Sequence, residues 1–332
     1  MQTDDRDFGL DAIEDLRTRT EYEAWLLEAA YELSDKALAG QRLDLLIYPP
    51  GGGPPTVTAF ASTNVRLGDW REGFLKAGAP LVFVTTFKLL DMFFEWILAQ
   101  NGKTQTFRFN QKIAALDDNL RFPHLVASRP WLKERLINLY RNLEPFRGTI
   151  VHERHFTSSD GGLEVSRSKA GVVGQAIRLS SDDLRALTIV VVSVLRYLEG
   201  TWILDSFCEK RLRWFLDKLT QLHMLPSLGQ AQPRFITVRK YMPAGSAVQF
   251  DLQVIAKDAL ARNPKCDVVF DLSIIRLDAE QNRSAAYLIP SQLIHRAGTT
   301  LAISERDLEQ YSVALPADFD WATVANDLGL IQ

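Results

Sequence analysis

The most apolar stretch of the sequence runs from Leu81 to Ala99, and large hydrophobic residues occur around its whole helical circumference. Pro80 suits the first turn of a helix, and Gly102 suits the residue after its last turn. A helix that is apolar on most sides lies in the middle of a bundle, because any side turned to water would expose hydrocarbon. The stretch therefore predicts a central buried helix between Pro80 and Gly102.

Three charged residues, Lys88, Asp91 and Glu95, interrupt this stretch. Charges near the middle of an apolar segment are costly in lipid, so the stretch is not predicted to cross a membrane. Their spacing places the three side chains on one stripe of the helix, where they can pair. We predict a solvated stripe; the alternative is an acidic group that assists a neighbouring functional site.

The period of the hydrophobic pattern changes near residue 230. Helical spacing dominates before it, whereas apolar and polar residues alternate from Phe235 onward. The sequence therefore predicts an α+β fold, in which a mainly helical bundle with inserted hairpins is followed by a β-rich domain. The predicted divisions are an N-terminal helix plus hairpin at 1–75, a helical domain at 76–228, and a β-rich C-terminal domain at 229–332.

Local signals place the other helices. Thr20 and Glu23 form a capping-box pattern, so the first helix is predicted to begin at residue 21, and residues 1–19 are predicted to be loose. Pro145 is expected to end or kink the helix before it. The predicted helices lie at 21–39, 110–116, 131–143, 181–198, 202–222, 305–311 and 321–328.

Strand and turn signals occur in both parts of the chain. Residues 43–48 and 56–61 predict two strands joined by a loop of prolines and glycines. The prolines remove backbone donors and no lysine follows, so the loop is predicted to be a hairpin tip rather than a phosphate-binding loop. Asp160-Gly161 predicts a second hairpin. Further strands are predicted at 172–179, 248–254, 267–277, 285–289 and 301–303.

Composition limits the chemistry. The formal net charge is −3, so no overall positive field indicates a nucleic-acid-binding protein, and any such site must be local. Cys208 and Cys266 lie far apart, and no cysteine or histidine has the spacing of zinc ligands. We therefore predict two reduced thiols, no metal and no cofactor. The acidic N-terminus does not fit a signal peptide, and a cytoplasmic location is expected.

The strongest chemical signal is the stretch 146–155, which holds two arginines and two of the five histidines in the chain. Arg147 can fork onto phosphate oxygens, and His152 can exchange a proton with a ribose hydroxyl or a leaving oxygen. The pair could therefore cleave RNA without a metal.

The spacing of the pair matters, because residues five apart in a regular α-helix point about 140° away from each other. The side chains of Arg147 and His152 converge only if the helix is distorted or if a second copy of the motif faces the first across a two-fold axis. Pro145 is expected to place Arg147 in the first turn of a new helical piece, where an anion would also meet free backbone N–H groups.

This motif resembles that of the HEPN family (higher eukaryotes and prokaryotes nucleotide-binding domain), through Arg147-Gly148-Thr149-Ile150-Val151-His152 and the helices around it. The resemblance implies a helical bundle that forms a homodimer with a composite site at its interface. It implies a metal-independent endonuclease acting on RNA, with Arg147 and His152 as catalytic residues, and a role as a toxin or in antiphage defence. Gly148 departs from the family pattern, which usually has a polar residue after the motif arginine.

Other basic residues are weaker candidates. Arg141, Arg154 and His155 could assist in binding the substrate, and the last two could equally form the solvated start of the hairpin. The segment Lys210-Arg211-Leu212-Arg213-Trp214 with Lys218 could hold an RNA backbone by charge and stacking. Its acidic neighbours favour a salt-bridged helix face instead.

A second interpretation of the motif is non-catalytic. Arg147 would pair with Glu144 or Glu153, His152 would be a structural histidine, and the chain would be a binding or assembly protein with a degenerate helical domain. The two interpretations differ in whether two copies of His152 face a shared groove, and a His152 that is buried inside one subunit without access would exclude the enzyme. The predicted partners are RNA for an enzyme, a second copy of the chain, and a protein bound through the C-terminal domain; no membrane is expected.

Overall fold

The chain divides into two compact units. The helical unit comprises residues 1–37 and 66–230, and the strand-rich unit comprises residues 38–65 and 231–332. The predicted α+β class is confirmed, because helices dominate one unit and a mixed sheet the other. The structure, a computed structural model, describes residues 8–38, 43–48, 54, 57–61, 70–103, 108–116, 118–153, 156–159, 161–169 and 172–315.

Helices occur in both units. Those of the helical unit are α1 (Leu10–Leu38), α2 (Trp70–Gln100), α3 (Phe109–Leu116), α4 (His124–Ala127), α5 (Pro130–Gly148), α6 (Ser181–Leu198), α7 (Ser206–Lys218) and α8 (Thr220–His223). A π-helical segment, Thr149–Glu153, directly continues α5. The strand-rich unit contains α9 (Leu252–Arg262), α10 (Ser291–Ala297) and α11 (Glu305–Leu308), with a 3-10 turn at Glu309–Tyr311.

The strands form three sheets. Those of the strand-rich unit are β1 (Leu43–Ile47), β2 (Val57–Ala61), β6 (Gln232–Pro243), β7 (Val248–Asp251), β8 (Cys266–Leu277), β9 (Arg283–Ile289), β10 (Thr300–Ile303) and β11 (Ser312–Val313). The helical unit has an antiparallel sheet of β3 (Phe156–Ser159), β4 (Gly162–Lys169) and β5 (Val172–Leu179), in which the predicted hairpin around Gly161 and the strand at 172–179 are confirmed.

The central element of the helical unit is α2. Its side chains Phe83, Phe94 and Trp96 are completely buried, and it packs against α5 and α6. The predicted buried helix is thus confirmed, although α2 begins at Trp70 and Pro80 lies inside it. A proline that cannot donate one backbone hydrogen bond is tolerated here because the burial of the following turns outweighs that loss.

The prediction of a solvated stripe on α2 is wrong for Asp91 and Glu95. Lys112 of α3 is buried, and its Nζ lies 2.8 Å and 3.1 Å from the two carboxylate oxygens of Asp91 and also binds Glu95. The Tyr140 hydroxyl of α5 donates to Asp91 Oδ1 at 2.5 Å. Burial and the Asp91 charge raise the pKa of Tyr140 far above its usual range. This buried polar cluster joins α2, α3 and α5, whereas Lys88 pairs with Glu23.

The first helix begins earlier than predicted. α1 starts at Leu10, and Thr20 is not a cap but a buried residue inside the helix, where its hydroxyl donates to the carbonyl of Leu16 at 2.9 Å. Ala12 and Leu16 carry the buried face back towards the N-terminus. That face was missed because the many charged residues around it suggested a loose segment.

Two other helix boundaries differ from the predicted ones. α5 does not stop before Pro145 but runs on to Gly148, because Leu143 and Phe146 continue its buried face. The predicted helix at 202–222 starts only at Ser206, where the Asp205 side chain accepts the backbone N–H of Cys208 at 2.7 Å. In contrast, α6 begins and ends as predicted, since Ser180 and Asp183 form a capping box before it.

The strand-rich unit is built on a six-stranded sheet with the order β11-β9-β8-β6-β1-β2. β6 pairs in parallel with β1 on one side and with β8 on the other, and the remaining pairs are antiparallel. The predicted hairpin of β1 and β2 is confirmed, but it belongs to this sheet rather than to a separate region at 1–75. The division of the chain therefore differs from the predicted one, in which the hairpin was grouped with the N-terminal helix. An isolated two-stranded hairpin is only marginally stable, and here the backbone groups of β1 also pair with β6.

The predicted strand at 248–254 is wrong in its second half. β7 ends at Asp251, whose side chain accepts the N–H groups of Gln253 and Val254 at 2.9 Å and 3.1 Å and starts α9. Helix α10 was not predicted either, whereas α11 follows Ser304 as expected. The strands predicted at 267–277, 285–289 and 301–303 are confirmed. The helix predicted at 321–328 lies outside the described residues.

None of the described helices combines the length and the apolarity that crossing a lipid bilayer requires. This holds for α2 as well, in which Asp91 and Glu95 belong to the buried polar cluster.

We expect Lys112→Ala to lower the free energy of unfolding by about 3–5 kcal/mol, because it leaves two carboxylates without their buried cation. The matched control is Lys103→Ala, which removes an exposed pair with Asp118 and should cost no more than about 1 kcal/mol. Urea unfolding followed by tryptophan fluorescence measures both, since all tryptophans except Trp321 lie in the helical unit. Equal losses in the two variants would contradict the expectation.

His223 is expected to make the stability of the helical unit depend on pH. Its completely buried ring accepts the N–H of Leu225 on Nδ1 at 3.1 Å and donates from Nε2 to the carbonyl of Leu216 at 2.9 Å, so the neutral form is the one that fits. Burial lowers the pKa of His223 below its ordinary value.

The unfolded chain therefore takes up this proton first as the pH falls. We expect stability to decline below about pH 6.5, at up to about 1.4 kcal/mol per pH unit, until the lowered folded-state pKa is passed. Urea unfolding of the wild type and of His223→Gln at several pH values checks this. The variant should show a weaker pH dependence, and parallel curves would exclude His223 as its source.

Candidate functional site

Arg147 lies in the last turn of α5, half-buried, with its guanidinium 5.3 Å from the centroid of the Phe109 ring. The expectation that Pro145 starts a new helix there is wrong. The Thr149 N–H bonds to the carbonyls of Pro145 and Phe146, so helical hydrogen bonds continue past the arginine and offer an anion no free N–H groups. Arg147 itself remains the group that can meet a phosphate.

Phe109 is held in place by the buried polar cluster and by other rings. Its centroid lies 4.7 Å from Lys112 Nζ, and its ring packs 5.9 Å from Phe87 and 6.3 Å from Tyr140. The face of an aromatic ring carries partial negative charge and attracts a cation. The ring therefore orients the Arg147 guanidinium and leaves its positive charge in place, whereas a carboxylate would neutralise that charge.

No carboxylate pairs with Arg147 among the described side chains. Glu144 is close enough to Tyr140 to raise the pKa of its hydroxyl. The side chain of Glu153, the other proposed partner, lies outside the described part of the structure. The non-catalytic interpretation that pairs Arg147 with Glu153 therefore stays a prediction.

His152 lies in the π-helical segment and is exposed to solvent. Thr149 and Ile150 of the same segment are buried and anchor it, whereas Val151 beside His152 is exposed. A π turn closes its hydrogen bonds between residues five apart, so such residues approach a common face more closely than in an α-helix. The distortion that the spacing of Arg147 and His152 demands is thus present between them.

Gly148, the departure from the family motif, is an open position. A methyl group added there would meet no atom within 4 Å, and its backbone is not in the left-handed region. The glycine is therefore not needed for close packing or for a turn. A polar residue at this position would fit the fold.

Of the weaker candidates, only Arg141 lies among the described residues. Arg141 is half-buried one and a half turns before Arg147 and donates to Asn138 Oδ1 at 3.2 Å. Arg154 and His155 lie outside the described residues. In the described ranges, no group of three or more histidine, cysteine or carboxylate side chains is arranged to hold a metal ion.

Sequence reasoning missed the residues that orient Arg147. Phe109 and Lys112 stand at a helical spacing of three, which marks a shared face of α3 but does not reveal what that face contacts. Asp91 was noticed, but its contacts with Lys112 and Tyr140 place it in the buried polar cluster rather than on a solvated stripe.

Comparisons with other proteins add no further assignment. The chain matches no protein-family model, no curated protein and no solved structure. The site is therefore defined by its own geometry: an exposed histidine and a half-buried arginine on a distorted helix end, with an aromatic ring below the arginine.

We expect Gly148→Ala to stabilise the protein by about 0.5–1 kcal/mol, because glycine loses more backbone entropy than alanine in a helix. The contrasting variant is Gly102→Ala, where φ is +68° and a side chain is strained, so stability should fall. The midpoints of urea unfolding measure both changes in stability, provided that the free energy of unfolding falls with the same slope against urea concentration in all variants. A loss of stability in Gly148→Ala would mean that the glycine has a structural role.

Proposed function

We propose that the helical unit is a metal-independent RNA endonuclease in which Arg147 and His152 act on the scissile phosphate. The observation that carries the proposal is the combination of an exposed His152 with an Arg147 whose guanidinium lies against the Phe109 ring. A guanidinium held in this way keeps its charge and its hydrogen-bond donors for a ligand.

The reaction needs only these two groups and the RNA itself. The imidazole of His152 takes the proton from a ribose 2′-hydroxyl, and the 2′-oxygen attacks the adjacent phosphorus. The bond from phosphorus to the 5′-oxygen of the next nucleotide breaks, and that oxygen takes up a proton. The products are a 2′,3′-cyclic phosphate and a 5′-hydroxyl, while Arg147 stabilises the negative charge on the phosphate oxygens.

The leaving oxygen needs a proton donor, and a second His152 would supply it. A second copy of the chain, related by a two-fold axis, brings one more arginine and histidine to the same groove. The proposal therefore includes a homodimer with a composite site. By its resemblance to the HEPN motif it extends to a cytoplasmic toxin or antiphage-defence effector, with the strand-rich unit binding a protein partner.

The test is cleavage of labelled RNA by the purified full-length protein in excess EDTA. Activity should persist in the wild type and leave a 2′,3′-cyclic phosphate, and His152→Ala and Arg147→Ala should each lose at least about 100-fold. The matched controls are His124→Ala, another exposed histidine of the helical unit, and Arg121→Ala, whose guanidinium lies 4.9 Å from the Phe8 ring. Both controls should retain activity.

Mixing the two inactive variants tests the composite site. Activity should return only in part when subunits exchange, because a mixed dimer contains one intact arginine and one intact histidine in one groove, and water must replace the missing second histidine as the proton donor to the leaving oxygen. No cleavage by the wild type would favour the non-catalytic binding or assembly protein. Equal cleavage by all variants would place the activity elsewhere.

A further inference from the structure

A second group of basic and aromatic side chains lies on α7 and at the start of α5, away from Arg147. We name it the α7 face. It consists of basic residues and of the aromatic residues near them: Arg129, Trp131, Lys210, Arg211, Arg213, Trp214, Phe215 and Lys218.

Arg213 is the most ordered cation of this face. Its guanidinium carbon lies 4.4 Å from the centroid of Trp131, and its Nε and one terminal nitrogen donate to Glu209 Oε1 at 3.2 Å and 2.7 Å. One face of the guanidinium is thus covered by the indole and one edge is held by the carboxylate. The side chain is still one third exposed, so the plane is fixed and remains partly accessible.

The acidic residues of this region are already engaged. Glu209 also accepts Arg129 Nε at 3.0 Å, so one carboxylate serves two guanidinium groups; although burial opposes it, hydrogen bonds from Arg213 and Arg129 hold the pKa of Glu209 below its usual value. The two oxygens of Asp217 accept the backbone N–H groups of Leu228 and Gln230 at 2.5 Å and 3.0 Å. Hydrogen bonds from neutral N–H groups leave Asp217 its negative charge, but the face carries five cations, Arg129, Lys210, Arg211, Arg213 and Lys218, against these two carboxylates, so its charge is positive.

Exposed cations extend the face along α7. Lys218 Nζ lies 4.4 Å from the Trp214 ring, and the Arg211 guanidinium lies 5.6 Å from Phe215. Lys210, Arg211 and Lys218 are all exposed. Cations of this kind can follow a chain of phosphates, while rings and guanidinium planes offer surfaces on which bases stack.

We propose that the α7 face binds single-stranded RNA, with phosphates on its exposed cations and a base stacked on the Arg213 guanidinium. The choice of RNA as the ligand rests on the proposed function. The positive charge of the α7 face and the position of the Arg213 guanidinium are observed independently of it. A duplex would hide its bases inside the helix and could use only the charges, which is why a single strand fits the planar group.

The face is separate from the proposed reacting groups. Trp131 and Arg147 stand sixteen residues apart on α5, which is about 24 Å along the helix axis at about 1.5 Å per residue. Changes at the α7 face should therefore alter affinity and KM, while leaving the rate at saturating RNA unchanged.

The experiment measures binding of a fluorescein-labelled unstructured RNA oligonucleotide to full-length protein carrying His152→Ala, by fluorescence anisotropy over a range of salt concentrations. One variant combines Lys210→Gln, Arg211→Gln and Lys218→Gln. The matched control removes three exposed cations elsewhere in the same unit, through Lys88→Gln, Lys103→Gln and Arg178→Gln. A further variant, Arg213→Lys, keeps the charge and removes the plane.

The α7 triple variant should bind at least about tenfold more weakly than the control triple, and its slope of log K against log salt should be smaller by about 2, since each lost phosphate contact removes about 0.7. Arg213→Lys should weaken binding by about fivefold or more, because stacking of one base is worth about 1 kcal/mol or more. Thermal midpoints of all variants show whether folding is intact.

Equal affinities of the α7 triple and the control triple would overturn the proposal. The proposal would also be overturned if the protein bound poly-glutamate as tightly as RNA and if Arg213→Lys left the affinity for RNA unchanged. These two results together would indicate an acidic protein partner. The two proposals can fail separately. RNA binding without cleavage by the protein with intact His152 would contradict the proposed nuclease activity. Cleavage with an unchanged KM in the α7 triple variant would contradict RNA binding by the α7 face.

Discussion

The burial of one ammonium group, that of Lys112, determines how the centre of the helical unit is assembled. A buried cation is tolerated only where opposite charges and hydrogen bonds replace its water, and Asp91 and Glu95 supply them from α2. The hydroxyl of Tyr140 occupies a further acceptor site on Asp91. Helices α2, α3 and α5 can therefore approach in one arrangement only, and that arrangement brings the Phe109 ring to Arg147.

The geometry of the candidate site follows from this packing together with the irregular end of α5. The apolar face of α5 continues through Phe146 to Ile150, and these buried residues hold the backbone while it changes from α to π hydrogen bonding. Burial of residues on one side of the π segment turns His152 towards solvent on the other. In a regular α-helix, residues at the spacing of Arg147 and His152 point about 140° apart, and the π segment departs from that geometry between them.

The sequence predicts the elements that carry their signals locally and misses those that depend on distant partners. The start of α6 at Ser181 and the hairpin around Gly161 are correct because the residues that determine them are neighbours in sequence. Asp91 was assigned to a solvated stripe because nothing near it in sequence shows that Lys112 is buried against it. The parallel pairing of β1 with β6 joins residues nearly two hundred positions apart, which no local pattern encodes. At the site, the residue types of the motif were visible in the sequence, whereas the π segment and the ring below Arg147 arise from tertiary packing.

The same distinction explains why the α7 face does not stand out from the formal charge. The chain carries a net charge of −3, and the two acids of α7 are interspersed among its four basic residues, a pattern typical of a salt-bridged helix face. The contacts show unequal use of these charges: Glu209 is divided between two arginines, and Asp217 is occupied by backbone N–H groups. The sum of the charges on α7 is positive, since four basic residues stand against two acids, and the local field depends on this sum rather than on the net charge of the chain. A protein with an acidic pI can therefore present a local basic surface, and in the α7 face that surface is separated from Arg147 along α5.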